Sequence, residues 1–172
     1  IAGGRLRDPR HLHLYDSTGA LRRSWGEPSA GLGSSYARFQ TAGGALRAIP
    51  AGLLFSHGAP LRIVLFAGGN VDSGTLLVED PRLLPPLVEE TIRGAPDPEA
   101  GGTRPFLWYH DRSSAVLPLA GGRILNVVTR YYKSDSVWDV YTSEGRRLSR
   151  TVVPRAYLVW DITSAGDVLA TY

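Results

Sequence analysis

The four histidines of this chain are its side chains best suited to moving protons or holding a metal near neutral pH. His11 and His13 stand two apart in a short alternating stretch, which sets both side chains on one face of a strand. With Asp8 or Asp16 nearby, such a pair has the donor types for a divalent metal. No further ligand follows at a fixed spacing, so the simpler reading is a pair of rim histidines. His57 lies in a Ser-His-Gly-Ala-Pro turn and is read as structural. His110 and Asp111 have the identities of an acid–base pair, but neighbours on a strand face opposite ways, which argues against their pairing. A nucleophile is harder still to find. There is no Gly-x-Ser-x-Gly elbow and no cysteine. Gly68-Gly69-Asn70 and Gly101-Gly102-Thr103 lack the strand–loop–helix setting that aims amides at a phosphate, and are read as turns. No catalytic or cofactor-binding residue is assigned.

Composition narrows the class. The 172 residues are 43% hydrophobic and 20% charged, which suits a folded domain with a real core. Twenty Gly and twelve Pro point to many short elements joined by turns. The absence of cysteine excludes a disulfide framework and any thiolate metal site. Apolar runs are far shorter than the roughly 20 residues that a spanning helix needs. The net charge is +3, and the only lysine is Lys133. The arginines are scattered among acids with no basic run, so their abundance fits a GC-rich genome better than a nucleic-acid surface. The chain opens at Ile1 and contains no Met, as an internal or processed piece would.

The elements that must carry any site are strands. Stretches 13–15, 46–49, 62–66, 75–78, 123–132, 137–141, 151–153, 157–162 and 168–172 are rich in Val, Ile, Leu, Tyr and Trp. Each is bounded by Gly, Pro, Asp or Ser. With weaker candidates they total about fourteen strands at spacings near ten residues, the regime of sandwiches, barrels and propellers. One helix is expected over 83–93, although Pro85 and Pro86 crowd its first turn. The stretch 94–103 reads as an exposed loop.

A repeat organises these strands. Leu14-Tyr15-Asp16-Ser17-Thr18-Gly19 returns as Val140-Tyr141-Thr142-Ser143-Glu144-Gly145, with Gly19 and Gly145 126 positions apart. Each copy is a hairpin in which Gly takes the positive-φ position and a Ser or Asp side chain bonds the turn. Strands 21–25 and 148–153 follow the two turns. Gly44, Gly122 and Gly166 form a second marker, each placed in a turn ahead of an apolar strand. Both markers keep a period near 40 residues, the length of a four-stranded propeller blade. An ordinary sandwich with two similar hairpins is the alternative.

At these residues the chain resembles the bacterial six-bladed β-propeller proteins of the NHL-repeat group. Their blades carry an aromatic-Asp-x-x-Gly-x-Leu hairpin followed by an Arg-aromatic-Gly stretch. Tyr15-Asp16-Ser17-Thr18-Gly19-Ala20-Leu21 and Arg23-Ser24-Trp25-Gly26 fit that pattern, and Trp138-Asp139-Val140-Tyr141 resembles the strand before the turn of a late blade. The stretch 48–102 shows neither marker. The resemblance implies an all-β fold, a partial β-propeller of about 3.5–4 antiparallel four-stranded blades from a six-bladed ring. The rest of the ring would come from further sequence or from another chain. It also implies export to the periplasm or beyond the cell. Propellers of lactonase type hold Ca²⁺ in the channel through Asn and carboxylate groups. Here Asn126, joined by Asp161 or Glu79, is the corresponding candidate. Trp108, Tyr109, Tyr131, Tyr132, Trp138, Tyr141 and Trp160 are expected to pack between blades.

The expected function is a non-catalytic binding or interaction module for a protein, peptide or glycan, with no specific nucleic-acid binding and no transmembrane segment. A lactonase- or esterase-like hydrolase with channel-bound Ca²⁺ is the alternative.

Overall fold

The computed structural model describes residues 12–25, 44–57, 61–68, 73–80, 89–96, 103–107, 111–130, 133–154 and 157–171. Every regular element among them is a β-strand, apart from one 3-10 turn at Ala120–Gly122. The chain divides into two compact units, one of Ile1–Gly43 with Pro86–Tyr109, the other of Gly44–Pro85 with His110–Tyr172.

The first unit holds two hairpins. In one, β1 (Leu12–Tyr15) pairs antiparallel with β2 (Leu21–Trp25), and Leu12 and Trp25 are opposed in register. In the other, β7 (Glu89–Pro96) pairs with β8 (Thr103–Leu107). Here the expected helix over 83–93 is overturned: residues 89–93 are extended, and 83–88 lie outside the described residues. Thr91 and Ile92 are β-branched and lose rotamer freedom in a helix, whereas a paired strand accommodates them. The loop expected over 94–103 is strand at both ends, since β7 runs through Pro96 and β8 begins at Thr103; residues 97–102 lie outside the described set.

The second unit is built from two four-stranded antiparallel meanders and a C-terminal hairpin. β3 (Gly44–Ile49), β4 (Gly52–His57), β5 (Leu61–Ala67) and β6 (Thr75–Asp80) pair in chain order. So do β9 (Asp111–Leu119), β10 (Arg123–Arg130), β11 (Asp135–Tyr141) and β12 (Arg147–Val153). β13 (Leu158–Ile162) and β14 (Val168–Thr171) form the hairpin. The β3–β6 sheet fills much of the stretch in which no repeat marker was legible. Its first reversal uses Pro50-Ala51 between Ile49 and Gly52, a two-residue connection with no resemblance to the Gly-closed turn. Proline at such a corner presets φ, so a regular meander forms without the expected motif.

The β9–β12 sheet is covered on both faces. Val116, Ile124 and Tyr141 pack with Leu54, Leu61, Ile63 and Val78 of the β3–β6 sheet. Ala115, Leu117, Leu125 and Val127 on the other face pack with Val159 of the C-terminal hairpin, with Trp138, Ile162 and Val168 around them. This explains two unbroken apolar runs, Ala115-Val116-Leu117 and the stretch around Val127 and Val128, all buried. A strand wet on one side would alternate instead. β9 is the edge strand of its own sheet and approaches β3 and β4 on one side and β13 on the other.

Candidate functional site

Three reversals share one hydrogen-bond pattern. Asp16 N donates to Ala20 O at 3.0 Å, Thr142 N to Arg146 O at 2.9 Å and Thr163 N to Asp167 O at 2.8 Å. In each, the Gly amide donates back to the first carbonyl, Gly19 to Asp16, Gly145 to Thr142 and Gly166 to Thr163. Gly19, Gly145 and Gly166 have φ of 80°, 83° and 93°, the left-handed region where glycine avoids a Cβ penalty. The first residue of the turn supplies the side-chain bond: Asp16 Oδ1 accepts from the amides of Thr18 and Ala20, Thr142 Oγ1 from Glu144 and Arg146, and Thr163 Oγ1 from Asp167. Ser143 instead donates to the Glu144 carboxylate, and Ser17 is exposed.

The second marker is not one structure. Gly166 belongs with the hairpins just described. Gly122, at φ 70°, closes the turn between β9 and β10. Gly44 is the first residue of β3 rather than a turn residue; a Cβ there would fall 2.2 Å from Ser56 O, so close backbone approach is what selects glycine.

The second of the Gly-closed reversals borders a cleft of about 360 Å³ within the larger unit. Leu77, Val78, Glu79 and Asp80 of β6 form one wall, and Tyr141, Gly145 and Arg147 form the other. Gly145 lies so near β6 that a Cβ on it would come 1.7 Å from Leu77 O. Behind the cleft Asp139, fully buried, accepts two parallel bonds from the Arg150 guanidinium at 2.7 Å each. The Tyr141 hydroxyl donates to the same carboxylate at 3.3 Å. Burial, reinforced by the Asp139 charge, pushes the Tyr141 phenol above its ordinary range, so it stays protonated in neutral solution. Arg147 and Arg150 each approach the Asp80 carboxylate at 3.8 Å, and Arg62 pairs with Glu79 at 2.7 Å.

A polar knot lies buried where β4 meets the β9–β12 sheet. Ser113 donates to Asn126 Oδ1 at 2.7 Å, Ser56 reaches the same oxygen at 3.2 Å, and the two hydroxyls touch each other. All three residues are buried. Asn126 Nδ2 has no hydrogen-bond partner among the described residues.

The metal candidates are dispersed. His11 lies outside the described residues, and exposed His13 shares a hydrogen bond with Ser24 at 2.8 Å. Asn126 is held by the serines, Asp161 pairs with Arg47 of β3 and accepts from the Ile162 amide, and Glu79 pairs with Arg62. The structure therefore gives these three separate partners, and no group of three or more His, Asp or Glu suited to a metal is found among the described residues. Of the expected packing aromatics, Tyr141 is buried and Trp138 packs beside the C-terminal hairpin, but Trp160 is 60% exposed. Trp108, Tyr109, Tyr131 and Tyr132 lie outside the described residues, as does His110.

Sequence reasoning missed Asp80, Asp139, Arg147 and Arg150. A signal existed for one pair: Asp139 interrupts the apolar strand Val137-Trp138-Asp139-Val140-Tyr141, and Arg150 falls opposite it once the Gly145 turn fixes the register. Asp80 comes from a different sheet, so no local pattern announces it. Comparison with known proteins finds no match, neither a family model, nor a curated protein, nor a solved structure.

Proposed function

We propose that the chain is a run of β-propeller blades that serves as a non-catalytic binding module. One observation carries this reading. β9, β3 and β13, from three successive layers, draw together at one edge of the stack, while the opposite strands β6 and β12 leave a cleft between them. Convergence of successive sheets at one edge is the geometry expected of blades arranged around an axis. The meander order within each four-stranded sheet and the recurring Gly-closed hairpin support the same reading. The residues around the cleft are suited to recognition rather than turnover: a protonated phenol and paired charges on a rigid framework, without an activated nucleophile. The hairpin's resemblance to exported bacterial propellers extends the reading to a periplasmic or extracellular protein.

The test is a binding screen of the full protein on peptide and glycan arrays, run beside ester and lactone turnover assays with and without a chelator. A saturable binder and no chelator-sensitive turnover is the expected result. Stoichiometric Ca²⁺ whose removal abolishes hydrolysis would overturn the proposal in favour of the hydrolase.

A further inference from the structure

We infer that the C-terminal hairpin β13–β14 is a flap that opens and closes as one unit over the β9–β12 sheet, held shut by the Arg47–Asp161 ion pair. The device is independent of what the module binds.

The hairpin is well tied within itself. Trp160 Nε1 donates to Thr171 Oγ1 at 3.1 Å across the two strands. Its reversal is closed by the Thr163–Asp167 and Gly166–Thr163 backbone bonds and by the Thr163 side chain. Its hold on the rest of the protein is slighter. Of the five residues in β13 and the four in β14, only Val159 is buried. Ile162 and Val168 pack beside it, while Leu158, Trp160 and Leu169 stay exposed. The sheet beneath is different: Ile124, Leu125, Asn126, Val127 and Val128 of β10 are all buried. A two-stranded hairpin is marginal by itself in water. An element with few buried apolar contacts therefore opens at less cost than the whole domain unfolds.

The ion pair reaches further than the apolar contacts do. Those contacts join the hairpin to the β9–β12 sheet. Arg47 belongs to β3, on the other side of that sheet, and meets Asp161 past the β9 edge. No other ion pair among the described residues links the hairpin to the rest of the chain. The Asp161 carboxylate also accepts from the Ile162 amide at 2.8 Å, beside the irregularity in the β13–β14 register. It is thereby aimed by its own strand. The Arg47 and Asp161 side chains are 35% and 45% exposed, so dissolved salt screens their attraction. A pair this exposed shifts an equilibrium only a few-fold. That is too little to decide whether the sheets fold, but enough to set how often a small, weakly packed hairpin opens.

Native-state hydrogen exchange on the whole chain, read by mass spectrometry in low and high NaCl, tests this. In the wild type the β13–β14 amides are expected to exchange together and faster than those of β10 and β11. Asp161→Asn, which keeps an acceptor for the Ile162 amide, should speed the hairpin about two- to fivefold and leave β10 and β11 unchanged. Arg47→Gln, made on β3, should do the same to the hairpin 114 positions away. High salt should speed the wild-type hairpin by a similar factor and leave both variants as they are. The exchanged pair Arg47→Asp/Asp161→Arg should restore slow exchange. Hairpin amides that exchange no faster than those of β10 in the wild type would overturn the flap. A hairpin rate indifferent to both single variants and to salt would overturn the role of the ion pair.

Discussion

At the scale of single residues, Gly145 does one thing that its counterparts do not. Gly19, Gly145 and Gly166 all sit at positive φ, where any L side chain costs about 1–2 kcal/mol. At Gly19 and Gly166 an added Cβ meets nothing within 4 Å, whereas at Gly145 it meets the Leu77 carbonyl of the neighbouring sheet. Gly19→Ala and Gly166→Ala should therefore each lose about 1–2 kcal/mol in urea denaturation. Gly145→Ala should lose clearly more, because β6 must move away from the turn and the cleft must change shape. Equal losses at all three positions would show that backbone strain alone governs the motif. The turn family itself was legible, since a Gly-closed polar reversal after an aromatic residue has a local cause. The bond-forming residue was harder to read: Ser143 is as plausible from the sequence as Thr142, and only the turn geometry selects the first position.

At the scale of elements, the β11–β12 hairpin carries a buried ion pair that a strand of this kind tolerates only when fully matched. Asp139 has no exposure, and the Arg150 fork supplies two of its hydrogen bonds. Removing the cation alone leaves an uncompensated buried carboxylate, at a cost of about 3–5 kcal/mol. Arg150→Met should approach that loss, and the double variant Asp139→Leu/Arg150→Met should recover most of it, as read by denaturation midpoints in a double-mutant cycle. A double variant as unstable as the single one would place the effect in packing instead.

Legibility differs between elements for physical reasons. β10 carries the apolar run around Val127 and Val128 because both faces of its sheet are buried, and such a run is plain in the sequence. β7 was mistaken for helix because Leu and Glu near it favour a helix, and the pairing with β8 that decides the matter is not a local property. Three strands of the β3–β6 meander were legible as short apolar stretches, but no repeat marker showed there because its first corner is built on Pro50 rather than on the recurring glycine.

At the scale of the whole chain, the acidic groups set how stability answers to pH. Thr18 bonded to Asp16, Arg130 to Asp135, Ser143 to Glu144 and Arg47 to Asp161 each hold a carboxyl below its ordinary value. A depressed pKa means that the folded form binds protons less readily than the unfolded form, so stability is fully present above the unfolded value, near pH 4. It is lost as pH falls through the lower folded values. The thermal midpoint should therefore be flat from pH 5 to 7 and drop steadily below about pH 4. A midpoint that rises on acidification would contradict these four assignments. The Arg47–Asp161 bond was not visible in advance, because the two residues stand 114 positions apart and meet only when their sheets stack. The cleft was hidden for the same reason, its walls being drawn from β6 and from the β11–β12 reversal.

The three Gly-closed reversals also differ in how much chain they can absorb. Those at Gly19 and Gly166 face open space, so extra residues grafted there would extend outward without disturbing any packed layer. The one at Gly145 is pressed against the backbone of β6 and cannot lengthen without prising two sheets apart. Among these three reversals, peptide tags and reporter insertions thus have two permissive addresses, and length variants at the third should be rare.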